Sequence, residues 1–179
     1  GVEIPKNVAG LMLAAIISDT LLFRSPTCTK TDKEIALELA EIAGVDAEEF
    51  GLAMYKAGTS LVGKSIEEIY NQDYKAFNIG DAKVGIAQVN TMDIDGFAPL
   101  KAEMLEYMEN LCVENGFDTA VLLLTDVINA TSEVFVAGSH PEYVENAFNV
   151  QLVEHQANLP GVISRKKQVV PAITRAINA

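Results

Sequence analysis

The sequence predicts an α/β protein: a mixed β-sheet flanked by helices, preceded by a segment that is helical only. Three observations carry this. From about residue 65 onward strand-like and helix-like stretches alternate, the pattern of helices laid against a sheet. Ala120–Thr125 is a continuous apolar run bounded by polar residues, which suits a strand buried on both faces. Residues 1–58, by contrast, show helical periodicity without a strand for those helices to cover.

The elements follow in order. Val8 to Phe23 is apolar at nearly every position, which predicts a helix buried on most sides, ended by Pro26. Thr31 and Glu34 form a capping-box pattern before Ile35, Ala36, Leu39 and Ile42, with Gly44 as the stop. Asp46 and Glu49 repeat that start, and Phe50, Met54 and Ala57 follow at helical spacing. Gly58–Lys64 is a Gly- and Ser-containing connector, so residues 59–64 are assigned as a linker between 1–58 and 65–179.

Ser65 and Glu68 then cap a short helix, and the polar segment Asn71–Phe77 precedes the first expected strand, Lys83–Asn90. Leu100, Met104, Met108 and Leu111 share a helical face closed by Gly116. Ala120–Thr125 and Glu133–Ala137 are the next strands, and Ser139 with Glu142 opens a helix carrying Tyr143, Val144, Ala147 and Phe148. Val150–Val153 and Gly161–Ser164 are short strand candidates. A last helix carries Val169, Ile173 and Ile177, and Pro171 stands either in its first turn or at a kink.

Composition excludes several classes of function. Thirteen Lys+Arg against 25 Asp+Glu give a net charge of −12, which leaves no basic surplus for nucleic acid. At 49% hydrophobic residues the chain is no disordered polyelectrolyte. Its longest apolar stretch falls short of the roughly 18–20 residues of a membrane span. Cys28 and Cys112 lack metal-type spacing and read as reduced thiols, which predicts a cytoplasmic setting. The chain opens Gly1-Val2-Glu3-Ile4-Pro5, without initiator Met or signal peptide, and reads as the interior of a longer protein.

Three features could carry chemistry. Asp19 lies near the end of the apolar first helix, where burial and the helix C-terminus both disfavour an anion. Either ordinary hydrogen bonds from Thr20 or the backbone satisfy it, or a cation does. Ser164-Arg165-Lys166-Lys167 places three cations in an acidic chain at the start of the last helix. It is either a solvated charge run or an anion site combining a guanidinium fork with ammonium charge. Lys75 is, on its own, an ordinary surface lysine. His140 and His155 lack metal-pair spacing and read as turn or surface residues. Neither a Walker-type phosphate loop nor a Gly-x-Ser-x-Gly elbow occurs.

The stretch Ser18-Asp19-Thr20-Leu21-Leu22-Phe23-Arg24-Ser25-Pro26-Thr27-Cys28-Thr29 resembles the manganese-dependent family II inorganic pyrophosphatases of the DHH phosphoesterase superfamily. The likeness continues through Lys56-Ala57-Gly58-Thr59 and Ile86-Ala87-Gln88-Val89-Asn90-Thr91. It ends at Leu159-Pro160-Gly161-Val162-Ile163-Ser164-Arg165-Lys166-Lys167-Gln168. The resemblance implies that Asp19 is a metal ligand and that Lys75, Arg165 and Lys166 bind the substrate phosphates. It implies a helical tail of a DHH domain in residues 1–58 and a DHHA2 substrate-binding domain in 65–179.

The family's Asp-His-His motif is absent from the sequence, so the resemblance further implies a missing N-terminal DHH domain that carries most of the metal site. The implied cofactor is Mn2+, with Mg2+ or Co2+ as alternatives, and the implied substrate is pyrophosphate, yielding phosphate. Metal-activated water would attack one phosphorus while the cations neutralise the phosphoryl oxygens. The connector would serve as a hinge, and the full-length enzyme could form a homodimer. No catalytic residue is assigned to this chain, which is expected to be inactive alone. The competing readings are a non-catalytic anion-binding or regulatory α/β module and another DHH-superfamily phosphoesterase.

Overall fold

The computed structural model describes residues 3–179, so the Gly1-Val2 opening lies outside the described residues. The chain divides into two compact units, Gly1–Ser60 and Leu61–Ala179.

The first unit packs three helices, α1 (Lys6–Thr20), α2 (Lys30–Ala43) and α3 (Ala47–Gly58). The first helix corrects the expectation twice. It stops well before Pro26, because the Thr20 hydroxyl donates to the Ile16 carbonyl at 2.7 Å and the chain then turns left-handed. Leu21, Leu22 and Phe23 adopt φ of 48°, 51° and 63°. Such conformations cost about 1–2 kcal/mol per residue. Burial of Leu21 and Leu22, each worth about 1.5–3 kcal/mol, offsets that cost. Nor is α1 buried on most sides: Ala9, Leu13, Ile17 and Thr20 form one inward stripe, while Leu11 is 73% exposed. At the approach of α3, a Cβ on Gly51 would stand 3.2 Å from Ile17 Cγ2 and 2.3 Å from Leu22 Cδ1, so a larger residue there would force the Leu22 side chain to move.

The capping box of α2 is Thr29 with Asp32, two residues upstream of the expected Thr31 and Glu34. Asp32 N–H donates to Thr29 Oγ1 at 3.2 Å, and Asp32 Oδ2 accepts from Thr29 N–H at 2.7 Å. That second bond, with one from the Thr29 hydroxyl, holds the Asp32 carboxyl below the usual range. Asp46 caps α3 as expected, accepting from Glu48 and Glu49 N–H at 2.9 Å.

The second unit begins with α4 (Ile66–Tyr70), started by the expected Ser65–Glu68 capping box. There follow β1 (Tyr74–Ile79), β2 (Ala82–Thr91), α5 (Lys101–Asn115), β3 (Thr119–Asp126) and β4 (Thr131–Gly138). Then come α6 (Glu142–Phe148), β5 (Gln156–Pro160), a π-helical turn over Arg165–Val169, and α7 (Val170–Ile177). The five strands lie in the order β1-β2-β3-β4-β5. Only β2 and β3 are parallel, and α5 supplies the crossover such a pair requires.

Both faces of the sheet are covered. Ala87, Val89, Leu122, Leu124 and Phe135 pack with Met104, Met108 and Cys112 of α5 on one face. Val84, Ile86, Val121, Leu123, Val134 and Val136 pack with Val144 of α6 and Ile173 of α7 on the other. The expected apolar run is β3, buried at all of its positions. Gly138 ends β4 at φ 104°, where a Cβ would lie 2.5 Å from the Asp118 carbonyl oxygen.

The structure corrects three further expectations. Residues Tyr74–Ile79 form a strand rather than a polar lead-in, an edge strand whose exposed positions hide its period. Val150–Val153 and Gly161–Ser164 are not strands; the last strand is Gln156–Pro160, where only Leu159 is buried. Ser139 does not cap α6, whose N-cap is Pro141; its hydroxyl donates instead to the Asp118 carbonyl at 3.4 Å. Pro171 stands at the second position of α7, within its first turn, so no kink arises. No helix among the described residues is long and apolar enough to cross a membrane.

Candidate functional site

The sheet face beneath α7 changes character toward one end. Along it β2 runs Val84, Ile86, Gln88, β3 runs Val121, Leu123, Thr125, and β4 runs Val136, Val134, Ser132. The terminal polar residues hold the segment that leads into the cations. Gln88 Nε2 donates at 3.0 Å to both Thr125 Oγ1 and the Ile163 carbonyl. Its Oε1 accepts from Arg165 N–H, also at 3.0 Å. Ser132 donates to the Val162 carbonyl at 2.6 Å. Gln168 completes the frame, its Oε1 accepting from Ile163 and Ser164 N–H at 2.9 and 3.0 Å.

Arg165 is therefore fixed at both backbone and side chain. Its side chain is 8% exposed, and its Nη2 meets Asp73 Oδ1 at 2.6 Å. Nη1 donates to the main-chain carbonyls of Asp73 and, at 3.2 Å, Ile86. A buried guanidinium is tolerated only when so paired. Lys75 is drawn to the same place: its register partner on β2 is Ile86, so its side chain leaves β1 on the face that the π turn covers. Lys75, Lys166 and Lys167 are exposed, and none of their ammonium groups has a hydrogen-bond or ion-pair partner among the described residues.

Backbone N–H groups at the start of the last helix are engaged within the protein. Arg165 N–H is taken by Gln88, and Lys167 N–H donates to Ser164 Oγ at 3.2 Å. Side-chain charge, rather than free backbone donors, dominates here. Asp73 and Gln88 were not singled out from the sequence. Gln88 had a signal, as an amide flanked by apolar residues within a strand; Asp73 had none, because its partner lies 92 residues away.

Asp19 belongs to the first unit. It is exposed, not buried, so the desolvation argument against a bare carboxylate lapses. Its backbone is well braced: Thr27 donates to the Asp19 carbonyl at 2.9 Å, and the buried Tyr55 hydroxyl to the Ile17 carbonyl at 3.1 Å. Burial pushes that phenol up to about 12, which keeps it a donor. The C-terminal partial negative charge of α1 adds to the Asp19 carboxylate, a combination that favours a cation. Among the described residues, however, no group of three or more His, Cys, Asp or Glu side chains could hold a metal.

Other candidates fall away. His140 pairs with Glu142 at 2.7 Å and stacks on Tyr143, while His155 meets the Val136 carbonyl at 3.2 Å. Both cysteines are free; burial pushes Cys112 up to about 11 and also raises Cys28, so neither is poised as a thiolate nucleophile. Depressions of about 410 and 400 Å³ are lined by Glu133 and by Asp81 with Asp118, carboxylates that repel an anion.

Comparison with known proteins gives a consistent set of relatives. A family model described as the DHHA2 domain matches residues 52–176. A protein of Clostridium perfringens named as a cobalt-dependent inorganic pyrophosphatase is 56% identical over 99% of the chain, which spans 32% of that relative. One of Clostridium acetobutylicum, named as a manganese-dependent inorganic pyrophosphatase, is 52% identical over 99% of the chain, which spans 57% of it. A crystal structure from Methanococcus jannaschii, named as a family II inorganic pyrophosphatase, superposes with a TM-score of 0.90 at 44% identity. That match covers 99% of this chain and 58% of the other.

Proposed function

Because the chain belongs to the DHHA2 domain family, we propose that it is the phosphate-gripping part of an inorganic pyrophosphatase. The observation that supports this best is the cation set on one sheet face: a braced Arg165 with unpaired Lys75 and Lys166 beside it, in a chain of net charge −12. A local positive site in so acidic a chain selects for a compact polyanion. The lysines would neutralise charge on the phosphoryl oxygens, and Arg165 would fix the orientation of the ligand.

Asp19 is proposed as one metal ligand, for Mn2+ or else Mg2+ or Co2+; the remaining ligands would come from a DHH domain outside these residues. Divalent ions supply Lewis acidity and an activated water when bound in the whole protein. This chain contributes binding and orientation, and alone it is expected to release no phosphate from pyrophosphate. A cytoplasmic setting is proposed for the whole protein, a reading that the two free thiols of this chain support, with homodimerisation expected of the full-length form.

Titration of the 15N-labelled chain with pyrophosphate at low ionic strength tests the reading. Resonances of Lys75, Arg165 and Lys166 should move first, and Lys75→Ala or Lys166→Ala should each weaken binding. The expected loss is about three- to tenfold, the range for a charge-assisted contact discounted for solvent exposure. Shifts confined to other regions, or none, would count against it.

A further inference from the structure

Asp73 occupies part of the guanidinium that the anion-site reading assigns to phosphate. Its side chain is 54% exposed, against 8% for Arg165, and the contact runs from Oδ1 to Nη2. Arg165 does not depend on this carboxylate for its position. Nη1 is held by the main-chain carbonyls of Asp73 and Ile86, and the Arg165 N–H by Gln88. What Asp73 adds is a half-exposed oxyanion on Nη2, the same pairing that a phosphoryl oxygen makes.

We propose that Asp73 is a specificity-determining residue, a built-in competitor that an incoming anion must displace from Arg165. This rests on the reading of the cation face as a phosphate site. A single carboxylate ligand gains nothing by replacing another carboxylate. Pyrophosphate, or inorganic phosphate, brings more charge and more acceptor oxygens, and it engages Lys75 and Lys166 at the same time. Asp73 thereby sets a threshold that polyanionic phosphate crosses and monocarboxylates do not. It also lies two residues before Lys75, so displacement of its side chain occurs at the strand end that carries a second phosphate contact.

The test compares the intact chain with Asp73→Asn and Asp73→Ala, titrated with pyrophosphate and, separately, with acetate. The readouts are the dissociation constant by calorimetry and the Arg165 side-chain N–H resonances. Both variants should bind pyrophosphate about three- to tenfold more tightly, since a carboxylate charge near a polyanion has been removed. Acetate should move the Arg165 resonances in the variants but not in the parent. Unchanged or weaker pyrophosphate binding, in variants whose melting temperatures match the parent, would overturn the inference and leave Asp73 as a brace. If pyrophosphate moves Lys75 and Lys166 in every protein but never Arg165, the competitor role fails while the site stands. If it moves none of the three, the phosphate-site reading fails, and the inference with it.

Discussion

Replacing Arg165 with Met is expected to lower the unfolding free energy by about 2–4 kcal/mol and to remove phosphate binding together. Lys166→Ala, in contrast, should weaken binding at unchanged stability. The difference lies in where the two cations stand. Arg165 is buried and satisfies the carbonyls of Asp73 and Ile86, which lose their donor when the guanidinium goes. The Asp73 carboxylate is half exposed, so its ion pair contributes only modestly and is discounted in that figure. Lys166 is exposed, and its ammonium group has no partner among the described residues to lose. Urea unfolding beside pyrophosphate titration separates the two effects. Parental stability for Arg165→Met would show that the guanidinium braces nothing.

The second large effect is expected at Gln88. Gln88→Leu keeps roughly the volume but removes one acceptor and one amide group serving three partners: Arg165 N–H, Thr125 Oγ1 and the Ile163 carbonyl. Leaving buried partners unpaired should cost about 2–4 kcal/mol, more than the change in packing. The effect should be local as well as global. Hydrogen exchange at the Arg165 amide should accelerate beyond what the loss of global stability explains, and the pyrophosphate shifts at Arg165 should shrink. Gln88→Glu retains the acceptor for Arg165 N–H and should restore part of its protection. Parental exchange at Arg165 in Gln88→Leu would sink the idea that this amide sets the cationic segment.

Much of the fold was legible because its determinants are local or strongly periodic. The Ser65–Glu68 and Asp46 caps lie within a turn of what they cap, and the β3 run is apolar because both its faces are covered. The misses share a physical cause. β1 and β5 are edge strands paired on one side only, so polar residues such as Gln156 and Asn158 are tolerated and no period shows. The end of α1 was set by a left-handed turn that leucines rarely adopt, and only their burial makes it stable. The family resemblance, carried by the two end motifs, is borne out by the DHHA2 match and by the relatives' names. The environment of the site residues was the least legible part. Asp19 proves exposed where an apolar neighbourhood suggested burial, and the pairing of Arg165 depends on a residue far away in sequence.

That remoteness bears on how the protein is made. The strands lie side by side in the order in which they are synthesised, so each can add to its predecessor as it leaves the ribosome. Arg165 cannot join early: its partners Gln88, Ile86 and Asp73 precede it by 77, 79 and 92 residues. The cationic segment closes only after every strand is in place, over a loop-closure path of up to 92 residues. A nascent or C-terminally truncated chain would hold a nearly finished sheet yet lack the guanidinium proposed here to orient phosphate. Phosphate, binding the completed state alone, would then act as a folding ligand that stabilises only molecules whose last helix has docked.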